Sequence, residues 1–241
     1  MESAQQAATE YRGELRIANV GLMCSSLLAP LICAFRERFP KIEVPILQET
    51  DFKWAEAVQQ RAEVGVGYVS PGTASLPAGA LKSWVIATAP IGVAVAATVE
   101  QSRQGAAQLQ DFADQPFLVL DPKYAPGYLE WTRSIFLQTG FEPVKTILVD
   151  SGGALFPLIS AHVGVGLLSS LHFGGQPGGV CFRKLTDPVG QFPLSLVWDT
   201  QRSSPLVNDF LGVVREALPK PIGALRLNNH RRSVPAAING I

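Results

Sequence analysis

Leu27-Leu28-Ala29-Pro30-Leu31-Ile32-Cys33-Ala34-Phe35-Arg36-Glu37-Arg38-Phe39-Pro40 is the stretch that decides how the chain is read. Leu28, Ile32, Phe35 and Phe39 recur at three- and four-residue intervals, which line one face of an α-helix. Pro30 stands near the first turn, where a missing N–H costs least, and Pro40 closes the helix. Ser25 or Ser26 offers an N-cap. Upstream, Leu15-Arg16-Ile17-Ala18-Asn19-Val20 reads as a strand ending at Gly21. Downstream, Ile42–Leu47 and Val64–Val69 read as strands, and between them a helix from Phe52 to about Gln60 can be capped by Asp51 and carries Trp54, Ala57 and Val58. Strands alternating with helices build a sheet with helices on its faces, so the chain is expected to be α/β.

The alternation continues beyond a Ser-Pro-Gly-rich loop from Ser70 to Gly79. Strands are expected at Leu81–Thr88, Ile91–Val95, Phe117–Leu120, Thr146–Val149, Val165–Leu168 and Leu194–Trp198. Helices are expected at Tyr128–Thr139, Leu155–His162 and about Pro205 to Leu218, with a polar segment around Glu100–Gln110. Pro157 inside a helix costs about 3 kcal/mol unless the helix starts late or kinks. His162 is expected to end that helix in the left-handed conformation, which histidine tolerates better than most residues. Residues 219–241 carry Lys220, Arg226, Arg231 and Arg232, no acid and no periodicity, and are read as a loose basic tail.

Composition narrows the function. With 20 basic and 20 acidic side chains in 241 residues, no global field gathers nucleic acid or an anionic membrane. Residues 1–10 lack the apolar core of a secretory signal, and no stretch supplies the run of about 20 apolar residues a bilayer helix needs, so a cytoplasmic location is expected. Cys24, Cys33 and Cys181 are widely spaced, without a CxxC, and read as small buried or half-buried thiols in a reducing compartment. His172 and Cys181 do not have zinc-ligand spacing, Gly174–Gly179 lacks the Lys-Ser or Lys-Thr of a phosphate loop, and there is no Gly-x-Ser-x-Gly elbow. No metal, cofactor or catalytic residue is expected.

Several segments in order resemble the effector-binding domain of LysR-type transcriptional regulators. They are Gly13-Glu14-Leu15-Arg16-Ile17-Ala18, the stretch from Leu27 to Pro40, Ala62-Glu63-Val64-Gly65-Val66-Gly67, Leu109-Gln110-Asp111-Phe112 through Pro116-Phe117, Gly140-Phe141-Glu142-Pro143, Leu158 to Leu168, and Ser204-Pro205 to Phe210-Leu211. The resemblance covers Gly13 to about Leu218. It implies a periplasmic-binding-protein-like type II fold, two α/β lobes joined by two crossover strands, with crossings near Ala87–Pro90 and Gly190–Pro193. Lobe I is then 13–88 plus 192–218 and lobe II 89–191, with 1–12 as the end of a linker helix. The helix-turn-helix that precedes this domain in full-length members is not in the sequence, so contact with DNA is expected only through a segment outside it. A homodimer or higher homo-oligomer is implied, helix Leu27–Phe39 of one copy lying against Tyr128–Thr139 of another.

In such a fold the ligand settles beyond the carboxyl ends of the strands, between the lobes. The residues expected there are Met23, Cys24, Ser25, Ser26, Thr50, Asp51, Tyr68, Pro126, Tyr128, Ser151 and Gly152. Ser25 and Ser26 are hydroxyl donors or caps, and Asp51 is more readily a cap. Tyr124, Pro126 and Tyr128 form an apolar wall with a polar tip. Ser151-Gly152-Gly153 suits a backbone anion cradle, or a loose helix start. An Asp51 facing the cleft would repel an anion and favour a neutral, cationic or hydroxylated effector. A transporter's solute-binding protein and an enzyme on the same two-lobed scaffold are the alternatives, since fold alone does not choose between them.

Overall fold

The computed structural model describes residues 13–20, 25–49, 53–68, 80–98, 105–173, 178–218 and 222–223. In chain order the first part holds β1 (Gly13–Glu14), β2 (Ile17–Asn19), α1 (Ser25–Arg38), β3 (Ile42–Glu43), β4 (Ile46–Gln48), α2 (Lys53–Gln60) and β5 (Val64–Tyr68). A strand of 16 residues, β6 (Leu81–Ala96), leads to β7 (Phe117–Leu120), α3 (Pro126–Thr139), β8 (Thr146–Val149), α4 (Gly152–Ser160) and β9 (Gly166–Ser169). The chain returns through β10 (Val180–Lys184) and β11 (Gln191–Asp199) to α5 (Pro205–Ala217) and β12 (Ile222–Gly223).

Two α/β lobes share β6. In the first, β2 runs parallel between β4 and β5, and β5 pairs antiparallel with β11. β11 in turn pairs with β6 as far as Gln191 opposite Pro90. From Ile91 onward β6 exchanges that partner for β9 and β10, one on each edge. The second lobe continues through Leu118, whose N–H donates to Val165 O at 2.7 Å, to β7 and its parallel partner β8. Strands β6 and β11 are thus the connections between the lobes.

Packing explains several sequence features. The α1 stripe meets α5 through Phe35, which stacks tilted on Phe39 at 4.8 Å and edge-on to Phe210 at 5.4 Å. Glycines alternate in Val64-Gly65-Val66-Gly67 because α2 lies directly on β5. A Cβ at Gly65 or Gly67 would stand 2.7 or 2.6 Å from the Trp54 ring. At Gly92, where β6 enters the second lobe, a Cβ would lie 2.3 Å from the carbonyl oxygen of Arg183, a backbone atom that cannot rotate away. Gly92→Ala should therefore lower stability by about 1–3 kcal/mol, the cost of overpacking. A reduced urea midpoint checks this, and an unchanged one contradicts it.

Four features differ from the sequence reading. The stretch Ile42–Leu47 is divided, because Pro45 has no N–H for a ladder and instead accepts from Ile17 N at 3.0 Å. Leu81–Thr88 and Ile91–Val95 are one strand through Pro90. Helix α4 starts at Gly152 rather than late, so Pro157 lies inside it, exposed, and leaves the Gly153 carbonyl without its usual i+4 donor. Ile222–Gly223, inside the stretch read as a loose tail, pairs parallel with Ala87–Thr88. His162 has φ 59°, the left-handed geometry expected of it.

Cys33 is exposed and Cys181 half-buried, whereas all three thiols were expected to be at least partly covered, and Cys24 lies outside the described residues. Among the described residues no helix is long and apolar enough to cross a membrane.

Candidate functional site

A cavity of about 480 Å³ lies where the carboxyl ends of β2, β4, β5, β7 and β8 converge. From the first lobe it takes Val20, Gln48, Glu49 and Tyr68. From the second it takes Leu120, Tyr124, Tyr128, Trp131, Asp150, Ser151, Gly152 and Gly153. Leu155 and Phe156 of α4, Leu168 of β9, and His172 of the 3-10 turn Ser170–Phe173 complete the second wall, with Phe192 of β11 at the connection.

Aromatic rings form its main surface. Phe192 stacks on Tyr68 at 4.4 Å and meets Trp131 edge-on at 5.4 Å. Tyr128 is tilted on Trp131 at 5.7 Å, and the His172 ring stands 6.1 Å from Phe192. Offset and edge-on arrangements at these separations are the favoured ones for aromatic pairs. Residues from β5, α3 and β11 thus make one cluster that bridges the two lobes.

The polar groups are few and mostly engaged. The Tyr128 hydroxyl donates to Leu167 O at 2.7 Å, and burial pushes its phenol above the usual range. Its polar tip is thus anchored in the protein rather than held free for a ligand. Ser151 caps α4, its Oγ accepting from Ala154 N at 3.3 Å. Gly152 takes no left-handed backbone, and a Cβ there would meet nothing within 4 Å, so neither twist nor packing demands glycine. What its absent side chain provides is open approach to the first turn of α4, whose amides carry partial positive charge.

Glu49 has a buried side chain, 6% exposed, paired through Oε1 with Arg61 Nη2 at 2.5 Å. Asp150 is exposed and precedes the cap of α4. His172 is half-buried, and part of its surface faces the cavity. Removal from water lowers its pKa to about 4, against a smaller opposing effect of the hydrogen bond to the Ser169 backbone. Its Nδ1 lies 3.0 Å from Ser169 Oγ, 3.3 Å from Ser169 N and 3.1 Å from Ser169 O. Among the described residues no group of three His, Cys, Asp or Glu is placed to hold a metal ion.

Of the residues expected from sequence, Tyr68, Tyr128, Ser151 and Gly152 come together on this cavity. Met23, Cys24, Thr50 and Asp51 lie outside the described residues. Ser25 and Ser26 occupy the first two positions of α1 instead of its cap, and Pro126 occupies the first position of α3. Trp131, Phe192, His172, Gln48 and Glu49 were missed. Trp131 follows Tyr128 at i+3 and was within reach of helical periodicity. Phe192 reaches the site only because β11 crosses between lobes, which no local pattern encodes.

The comparisons agree with this architecture. Residues 8–219 match the family described as LysR substrate binding domain. The chain is 24% identical over 217 residues to the HTH-type transcriptional regulator IlvR of Caulobacter vibrioides, covering 89% of this chain and 71% of that protein. It is 21% identical over 219 residues to the HTH-type transcriptional regulator BenM of Acinetobacter baylyi, covering 90% of this chain and 70% of that protein. The solved effector binding domain of BenM with its effector benzoate superposes with a TM-score of 0.71 over 87% of this chain and 92% of that one, at 21% identity. CbnR, a LysR family transcriptional regulator, gives 0.73 over 89% and 73%, at 19% identity. With the family matched over nearly its whole length and the two lobes closing on one aromatic cleft, the chain belongs to the LysR substrate-binding domains, the effector-sensing part of LysR-type transcriptional regulators.

Proposed function

We propose that the effector is held in the cleft between β5, α3, α4 and β11, and that its capture shifts the balance between lobe arrangements. Residues 13–88 with 192–218 move as one body and 89–191 as the other. The change of β6 partners between Pro90 and Ile91 supports this division. The observation that carries the proposal is the aromatic cluster of Tyr68, Trp131 and Phe192. It draws one surface from both lobes and from the strand that joins them, so a ligand seated on it touches whatever moves. A ligand drives the change only by the difference in its affinity for the two arrangements. In a complete regulator in the cytosol, that change resets the spacing of DNA-binding heads contributed by a helix-turn-helix segment.

Thermal unfolding against panels of small amines, carboxylates and sugars tests the assignment. A ligand at about 100 times its Kd should add about 2.7 kcal/mol of stability. Gly152→Ala, which leaves room for its methyl, should weaken that ligand while barely moving the unliganded melt. Turnover of a bound compound would instead favour an enzyme on this scaffold.

The proposed oligomer is a homodimer with α1 of one copy against α3 of the other. Leu137, 83% exposed at the end of α3, and Leu148, 55% exposed on the open edge of β8, give the second lobe an uncovered apolar margin. Ile46, on the edge strand β4, does the same for the first. Sedimentation should show a dimer at high micromolar concentration, shifted toward monomer in Leu137→Glu, whereas a monomer throughout contradicts the pairing.

A further inference from the structure

Resting on the assignment of this cleft as the effector site, we infer that the effector is a cationic amine carried on an aromatic or similarly bulky apolar body. The argument begins with charge. Two carboxylates, Glu49 and Asp150, line the cavity, and among the described residues no lysine or arginine does. His172 supplies no positive charge at neutral pH, because its surroundings hold the ring in the neutral form. Arg61, largely exposed and not lining the cavity, pairs with Glu49 and offsets its charge, so the carboxylate offered to a ligand cation is that of Asp150.

Partial positive charge comes from the first turn of α3, at Ala125 and Tyr128, and from the open first turn of α4. That end of the helix already has the Asp150 carboxylate one residue before its cap, so an anionic ligand seated there would meet a like charge. The rings act in the opposite sense. The faces of tryptophan, tyrosine and phenylalanine are negative and attract a cation desolvated against them. Tyr68, Trp131 and Phe192 form such a surface within the same cavity as the two carboxylates. A protonated amine can therefore lie between carboxylate and ring while its apolar body covers Tyr128, Phe156 and Leu168. A volume of about 480 Å³ admits one or two fused rings with a short side chain.

Pairs of probes that differ only in charge test the inference on the intact chain: phenethylamine against 3-phenylpropanoate, and tryptamine against indole-3-propanoate. Each amine is expected to raise Tm and to reach half-saturation in calorimetry at a concentration at least about tenfold below its carboxylate partner. Asp150→Asn, at an exposed position outside the core, should reduce that preference severalfold. A carboxylate that binds as well as its amine overturns the amine assignment, and a preference that Asp150→Asn leaves untouched overturns the part given to Asp150 in it. In the first case the cleft still stands as an effector site. Failure of every probe of both charges at millimolar concentration overturns the amine class and also removes support from the cleft assignment, so the two failures are told apart.

Discussion

Trp131→Ala is expected to destabilise the protein by about 3–5 kcal/mol and to abolish measurable effector binding. Trp131 is 7% exposed and belongs to the largest apolar cluster among the described residues. It has ring neighbours on three elements: Tyr68 of β5 at 6.4 Å, Phe192 of β11 at 5.4 Å and Tyr128 of its own helix at 5.7 Å. Truncation forfeits the transfer energy of the indole and leaves a void between lobes that cannot collapse without moving them. Against a typical total of about 5–15 kcal/mol, that loss is a large fraction of what holds a domain together. Urea unfolding should show a lower midpoint at unchanged slope, and Trp131→Phe, which keeps a ring facing Phe192, should recover most of the stability and part of the binding. An unfolding free energy within about 1 kcal/mol of wild type for the alanine variant would mean that the cluster is not what joins the lobes.

The sequence was legible where a local pattern has one structural solution. Phe117–Leu120 and Thr146–Val149 form strands at the residues expected, because short apolar runs beside Pro116 and before Ser151-Gly152 leave little choice. His162 ends its turn with positive φ as a residue of its kind can. It was less legible where a tertiary contact overrides the local signal. Strand β6 passes through Pro90 because partners on both sides hold it: β11 before that point, β9 and β10 after it. Four of the eleven expected site residues line the cavity, reached through a strand end, as with Tyr68, or through the start of a helix, as with Tyr128, Ser151 and Gly152. Phe192 and His172 come from a crossing strand and a 3-10 turn far in sequence from Tyr68 and Tyr128, and only the closed topology brings them there. Gln48 and Glu49 illustrate a smaller error. The strand was ended at Leu47, one residue short of Gln48, and the site was expected to begin at Thr50 and Asp51, which lie outside the described residues.

Acidification should weaken the fold through His172. Its folded-state pKa, about 4, lies below the ordinary 6.5, so between these values the unfolded chain binds a proton that the folded one refuses. Stability from this residue is therefore complete above about pH 6.5 and is lost as pH falls, roughly 2 kcal/mol by pH 5 and roughly 3 kcal/mol once pH is below the folded value. The cause is geometric as well as dielectric. A neutral ring can accept at Nδ1 from Ser169 N and Oγ, whereas the imidazolium can only donate there, toward Ser169 O, and turns its Nδ1–H against the Ser169 N–H. Denaturant unfolding of wild type and His172→Phe between pH 7.5 and pH 4.5 isolates the contribution, since the carboxylates that also titrate are common to both proteins. The difference in unfolding free energy between the two should change by about 2.5 kcal/mol across that range, with wild type losing more. Equal losses would show that His172 ionises freely in the folded protein, and with that result the cleft would carry a positive charge in mild acid that its carboxylates and rings would have to accommodate beside any amine.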